Sequence, residues 1–149
     1  MRIDEIDKKL IQLLSDDGRI SYVHLAEKVG ISRVAVKDRI HNLIEKGVIE
    51  KFSVIVNSEK AGKKISAFFE VEVEPMQLEQ VAIKLANNPN VASIYQMTGP
   101  STLHMHVLVE DISMLESFIN KELYSVVGIN RIESSIILKR FKSRNGYKL

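Results

Sequence analysis

Residues 25–40 read LAEKVGISRVAVKDRI and continue through His41, Asn42, Leu43, Ile44, Glu45, Lys46 and Gly47. Two short amphipathic patterns meet here at Gly30. Leu25, Ala26 and Val29 share one face of the first, Ser21 precedes it as an N-cap, and Gly30 supplies the positive φ that a sharp exit needs. Ser32 is placed to cap the second pattern, which extends to about Lys46 and stops at Gly47. On a 3.6-residue wheel, Val36, Ile40, Leu43 and Ile44 share the apolar side, with Val34, Lys37, Asp38, His41 and Glu45 opposite. Two helices joined by a tight turn form the unit that lays its second helix in the major groove of DNA.

A helix entering a groove N-terminus first offers its opening turns to base edges and phosphates. Here those turns carry Ser32, Arg33, Val34, Ala35, Lys37 and Asp38, with His41 one turn further on. Val34 and Ala35 suit thymine methyls, while Arg33 and Lys37 can reach guanine or phosphate. Arg39 lies beside the apolar face and has two readings, an internal ion pair or a phosphate contact. The competing reading of the whole segment is a solvated helix face in a three-helix bundle. Against it, cap, turn and wheel agree with the docking geometry.

Upstream, Asp4 caps a first helix with Glu5 and Asp7 in its opening turn and Ile6, Leu10, Leu13 and Leu14 at helical spacing; Asp16-Asp17-Gly18 ends it. Residues 1–50 thus read as a DNA-binding domain. Residues 48–56 look extended, and NSEKAGKKIS at 57–66 is polar and contains Gly and Lys, so residues 51–66 form a linker strand and hinge. From residue 67 to 149 the pattern changes to strands at 67–73, 91–97, 103–109 and 131–141 and helices at 76–86 and 112–123. That order, βαββαβ, predicts a ferredoxin-like sandwich and an α+β chain. Its helices cover one sheet face. The other face, expected to carry alternate apolar residues, needs a cover, for which a second copy of the chain is the simplest choice.

Composition is that of a globular protein, with 45% apolar and 27% charged residues. No apolar run is long enough to span a bilayer, and the opening MRIDEIDKK lacks a signal peptide's apolar core, so the expected location is cytoplasmic with no membrane partner. With no Cys, disulfides and thiolate chemistry are excluded. Residues 1–64 hold 13 Lys/Arg against 10 Asp/Glu and residues 65–149 hold 8 against 9, so a single chain offers DNA only a modest field. Binding as a dimer or larger assembly would double its phosphate contacts.

The residues resemble the Lrp/AsnC (leucine-responsive, feast/famine) family of transcriptional regulators over essentially the full length. The likeness rests on Asp4-x-x-Asp7, Leu10-Ile11-x-Leu13-Leu14, Asp17-Gly18-Arg19-Ile20-Ser21, Leu25-Ala26, Gly30-Ile31-Ser32, Val36, Arg39-Ile40, Leu43 and Gly47-Val48-Ile49. The resemblance implies an N-terminal winged helix-turn-helix and a linker strand at 51–56 that pairs between subunits. It also implies a C-terminal effector-binding domain of the ACT-like (RAM) type, homodimers built through the sheets, and an octamer made as a tetramer of dimers.

The family also implies an amino-acid effector held between subunits, near a Thr/Ser-Gly turn after the second strand of that domain. Thr98 and Gly99 match that turn, followed by Pro100, Ser101 and Thr102, and Ser134 and Ser135 align with hydroxyls that complete the pocket. The Asp that usually follows the turn is missing here, and with it the natural partner of an ammonium group. Two readings stay open, an amino-acid responder and an effector-free or differently selective regulator.

Other chemistry finds little support. His104 and His106 share a strand face, but two His without a further ligand define no metal site. The glycines match neither phosphate-cradling pattern, so no cofactor is expected. The enzymatic alternative is a sirohaem decarboxylase, whose subunits look like Lrp-type chains and use His and Arg at a tetrapyrrole pocket. Here Glu50-Lys51-Phe52-Ser53 stands where that enzyme's Arg-rich segment is expected, and the expectation is a chain that is not an enzyme. A sensing module that does not bind DNA would require a damaged recognition helix, and this helix is intact.

Overall fold

The structure, a computed structural model, describes residues 3–99 and 101–141. The chain divides into two compact units, Met1–Ile55 and Val56–Phe141. The first unit holds three helices, α1 (Glu5–Asp16), α2 (Tyr22–Val29) and α3 (Arg33–Glu45). Leu10, Leu25, Val36 and Ile40 are fully buried where the helices meet, with Leu13, Leu14, Ala26 and Val29 packed around them. At roughly 1.5–3 kcal/mol for each large apolar side chain removed from water, these four positions dominate the stability of so small a unit. Ile44 departs from the wheel and is 40% exposed, because Leu43 already fills the inward position at that level of α3.

Each helix start in this first unit is capped as its sequence implies. Asp4 accepts from the Asp7 N–H at 2.8 Å while Asp7 reaches back to the Asp4 N–H, a reciprocal capping box. Ser21 and Ser32 cap α2 and α3 through the N–H groups of His24 and Ala35. Helix α2 ends at Gly30 with φ 73°, and the Gly30 and Ile31 N–H groups both bond the Ala26 carbonyl. That left-handed residue turns the chain within three positions into α3.

The second unit is a four-stranded antiparallel sheet of order β2-β3-β1-β4, formed by β1 (Ile65–Val73), β2 (Val91–Gln96), β3 (Thr102–Val109) and β4 (Ile129–Ile136). Helix α4 (Leu78–Ala86) follows β1; helix α5 (Ile112–Phe118) follows β3 and runs on as a π-helical turn, Ile119–Leu123. Ala67, Phe69 and Val71 face inward opposite Val107, Met105 and Leu103, and Val73 on β1 and Val109 on β3 extend the two buried rows. Val81 and Leu85 from α4, with Leu115, Phe118 and Leu123, close the core from one side.

Several boundaries differ from the sequence expectation. The last strand ends at Ile136, with one further bond from the Ile137 N–H to the Ser66 carbonyl, because β1 begins at Ile65 and leaves residues 138–141 without a ladder. Helix α4 starts at Leu78 because Glu74 to Gln77 form a turn closed by the Gln77 N–H on the Glu74 carbonyl. Residues 46–64 contain no strand, so the expected wing and the extended 48–56 segment form no ladder within one chain. Phe52, Val54, Ile55 and Val56 stand exposed there. The linker is not open coil either, since the Ala61 and Lys63 N–H groups bond the Asn57 and Ser58 carbonyls as successive turns.

The bare sheet face is less apolar than expected. Its rows run Tyr95–His104–Glu70–Glu133 and Ser93–His106–Phe68–Ser135, with Thr102, Glu72 and Arg131 alongside. Only Phe68 and Tyr95 expose large apolar area in those rows. Period-two alternation in β1 sends every second residue outward, and those residues are Ser66, Phe68, Glu70 and Glu72.

Candidate nucleic-acid interface

Helix α3 presents one exposed side, polar except for Val34. Arg33, Val34, Lys37, Asp38 and His41 are all exposed, and Val34, at 66%, is an apolar residue held out in water on that side. Ala35 is half-buried and Ser32 spends its hydroxyl on the cap, which leaves these two at the margin of the face. Among the described residues neither Arg33 nor Lys37 has an ion-pair partner, so both cations are available. No acidic residue occupies the first turn of α3. Its free N–H groups and positive dipole end therefore act with Arg33 and suit an approaching phosphate. His41 pairs along the helix with Glu45 at 3.2 Å.

Arg39 resolves to its internal reading. One guanidinium nitrogen, Nη1, donates to Asp4 Oδ2 and to Asp7 Oδ1, each at 2.7 Å. The Asp7 side chain is only 7% exposed, so its charge is compensated by Arg39 and the Asp4 N–H. The Asp7 N–H bond, then Arg39, hold the Asp4 carboxyl below its ordinary range, and the two carboxylates hold the Arg39 pKa up. The effect is mechanical as well as electrostatic, because α3 is locked to the start of α1 on the side away from its exposed face.

In the second unit, Thr98, Gly99, Ser101 and Thr102 lie in the β2–β3 hairpin; Pro100 falls outside the described residues. The hairpin is tied down by the Met97 N–H on the Thr102 carbonyl and the Val73 N–H on the Ser101 carbonyl. Thr102 is buried at the foot of the bare sheet face, beside Glu70, Glu72, Arg131 and Glu133. Ser134 does not join them. It sits on edge strand β4 opposite Phe69, on the helix-covered side, while the turn lies beyond the end of β1 at Val73. Ser135, opposite Phe68, is the hydroxyl that shares the bare face. A groove of about 470 Å³ beside the hairpin, lined by Leu78, Ala82, Ile83, Ile94, Tyr95 and Leu103, has no counterpart in the sequence reading. It depends on the distance between α4 and strand β2, which no local pattern encodes.

The H-x-H pair separates into two environments. His104 faces Glu70 at 3.8 Å in an acidic row. His106 meets the Ser66 hydroxyl at 2.7 Å and stacks on Phe68 with centroids 4.6 Å apart; burial first, then Arg140, pushes its pKa down. Among the described residues no three His, Asp or Glu side chains converge as metal ligands. No helix among them is long and apolar enough to cross a membrane.

Comparison with known proteins agrees with both halves of this geometry. Residues 3–44 match the AsnC-type helix-turn-helix domain, and residues 66–147 match the Lrp/AsnC ligand binding domain. An uncharacterized HTH-type transcriptional regulator of Pyrococcus horikoshii is 36% identical over 92% of this chain and 87% of its own length. The solved AsnC of E. coli superposes with a TM-score of 0.92 at 21% identity, covering 100% of both chains, and is a likeness of fold. The feast or famine regulatory protein of M. tuberculosis, solved in complex with L-methionine, is 29% identical with a TM-score of 0.90, covering 99% of this chain and 100% of that one. The chain belongs to the Lrp/AsnC family of helix-turn-helix transcriptional regulators.

Proposed function

We propose that the chain regulates transcription by laying α3 in the major groove of double-stranded DNA, N-terminal turn first. Arg33 and Lys37 supply the cationic contacts, Val34 the apolar contact to a thymine methyl, and Asp38 an acceptor for a cytosine amino group. Ser32, Ala35 and His41 border this surface. The observation that carries the reading is the pairing pattern of α3, in which Arg39 is consumed internally while Arg33 and Lys37 are left free on the opposite side. A duplex selected from a random pool by the full chain provides the test. Lys37→Ala is expected to lose about 1–3 kcal/mol of affinity for that duplex, at an unchanged melting temperature. Wild-type affinity in the variant would refute the docking face.

The bare sheet face supports assembly as a homodimer, and the tetramer of dimers is the larger form we assign. Residues 1–50 read DNA, 51–66 connect, and 67–149 assemble and sense. Two symmetry-related copies of α3 then call for a pseudo-palindromic site with half-sites one helical turn, or a multiple, apart. The chain works in the cytoplasm as a regulator and not as an enzyme.

An amino acid is the effector we assign, supported by the L-methionine in the solved mycobacterial relative. Its site combines Thr98, Gly99, Pro100, Ser101 and Thr102 of one chain with Ser134 of another, since one chain holds them apart. A thermal-shift screen of the twenty amino acids, methionine first, is expected to yield a stabilising ligand; a ligand at 100 times its Kd adds about 2.7 kcal/mol. Twenty flat responses would overturn the amino-acid reading and leave the DNA reading standing.

A further inference from the structure

The residues of the bare sheet face are sorted by strand. Its acids, Glu70 and Glu72 on β1 and Glu133 on β4, all lie on one half. The other half carries no acid within its strands and presents Thr102, His104, His106 and Leu108 from β3 with Ser93 and Tyr95 from β2. A carboxylate only accepts hydrogen bonds, whereas a phenol O–H and an imidazole N–H donate them. One half of the face is therefore an acceptor surface and the other a donor surface, divided by the line between β1 and β3.

These groups are open to a partner. Glu70, Tyr95 and Glu133 are exposed and His104 is half-buried, although His104 and Glu70 already face each other at 3.8 Å across the dividing line. Arg131 pairs with Glu133 along β4. One row further on, Phe68 and His106 stack across the same line, and Phe68 stands exposed near the middle of the face. Helices α4 and α5 pack on the opposite side of the sheet and cover none of this.

A second copy laid on the face about a two-fold axis in the contact plane has two aligned arrangements. With the axis across the strands, β1 lies over the partner's β1 and β4 over the partner's β4, so acidic half meets acidic half. With the axis along the strands, on the line between β1 and β3, β1 lies over the partner's β3 and β4 over the partner's β2, row upon row. The registers then put Glu70 against the partner's His104, Glu133 against the partner's Tyr95 and Phe68 against the partner's His106. Two Glu70 and two His104 form a ring of four around the axis, each carboxylate with a donor on either side, and the aromatic row closes beside it.

We infer that a second copy docks in this second way, with the two-fold axis parallel to the strands and the acidic half of each sheet on the donor half of the other. The inference rests on the homodimer reading and adds to it the direction of the pairing and the residues that set it. A second copy is favoured over an unrelated partner because the two halves of the face complement each other, as a self-paired two-fold contact requires.

The chain has no Cys, so introduced thiols report without background. Full chains carrying Tyr95→Cys or Glu133→Cys, one of them mass-tagged, are treated alone and after subunit exchange with a short bis-maleimide whose reach matches the about 10 Å between packed sheets. The mixture is expected to give the tagged–untagged product and each variant alone none, since three strand spacings of about 4.8 Å part the like positions. Absence of the mixed product in a sample that sedimentation shows to be dimeric overturns the inference and leaves the homodimer reading standing. A second measurement mixes Glu70→Lys copies with His104→Glu copies. Each alone repels its own kind, while the mixed pair restores one native contact and one reversed contact, so the heterodimer should bind at least about tenfold tighter than either homodimer. A heterodimer no tighter than the homodimers overturns the pairing. A wild-type chain that stays monomeric at every concentration refutes the homodimer reading itself, an outcome seen before any substitution is made.

Discussion

Replacing Arg39 by Met keeps the aliphatic stem and removes the guanidinium, isolating the bridge to Asp4 and Asp7. The Asp4 carboxylate is solvent-exposed and is rehydrated when Arg39 is removed, so the cost comes from Asp7. That side chain, 7% exposed, loses a 2.7 Å charge-assisted bond and retains only the 3.3 Å bond from the Asp4 N–H. A buried hydrogen bond to a charged group is worth about 1.5–3 kcal/mol, and we take about 2 kcal/mol. A unit of this size has roughly 3–8 kcal/mol in total, so the substitution removes a quarter to two thirds of it. Hydrogen exchange followed by mass spectrometry reads the effect locally. Amides in α1 and α3 should exchange about 30-fold faster, since 1.4 kcal/mol is a factor of ten, while β1–β4 peptides stay at wild-type rates. Pairing Arg39→Met with Asp7→Leu should cost less than the sum of the two, because the orphaned charge is gone. The reasoning is refuted if Arg39→Met exchanges at wild-type rates while DNA affinity collapses, the behaviour of a guanidinium that serves a phosphate.

Acid should weaken both units, for different reasons. Asp4 has a lowered folded-state pKa, so its contribution is complete above the unfolded value of 3.8 and is lost as pH falls through the folded one. Asp4→Asn should flatten that acid limb of the melting curve. His106, held neutral below its ordinary 6.5, contributes stability that is present above 6.5 and is lost as pH falls below it, because the unfolded chain takes up the proton first. His106→Gln keeps a partner for Ser66 and should make stability between pH 7 and 5 less pH-dependent in a thermal melt; an unaltered slope would show that the ring titrates normally. Gly128→Ala meets two obstacles, a φ of 94° and the Gln77 side chain against the new methyl. The backbone part costs about 1–2 kcal/mol, and Gln77→Ala in the same chain should recover only the packing part; full recovery would mean that the φ is unstrained.

How much of the fold and the site is legible in the sequence follows from how local each feature is. The Asp4, Ser21 and Ser32 caps and the Gly30 turn are determined within four residues, and all appear where the sequence puts them; the return bond from the Asp4 N–H to Asp7 is added by the structure. Arg39 keeps two readings in the sequence because its partners lie 35 and 32 residues away and only the packed bundle brings them into range. The alternation of residues 131–141 outruns its partner, so the last strand is shorter than its pattern; a strand ends where the neighbouring ladder ends, and that belongs to β1. Ser134 parts from the hairpin because its face depends on register, and a shift of one residue moves a side chain to the other side of the sheet. The irregularity between Glu72 and Val73 sets that register and leaves no signal in composition.

The strand order also determines when each half of the protein can exist. β1 is central, yet it is the first strand to leave the ribosome; Phe69 must wait for Met105 and then Ser134 before either of its neighbours is present. Ladders between residues so distant in sequence form slowly, whereas the three helices close over contacts within residues 3–45. Each newly made chain therefore passes through an interval in which its first unit is folded and its sheet is not. During synthesis the unit that carries the recognition helix precedes the completed sheet, and the delay between them is set by the 60 or so residues that separate the first strand from the last.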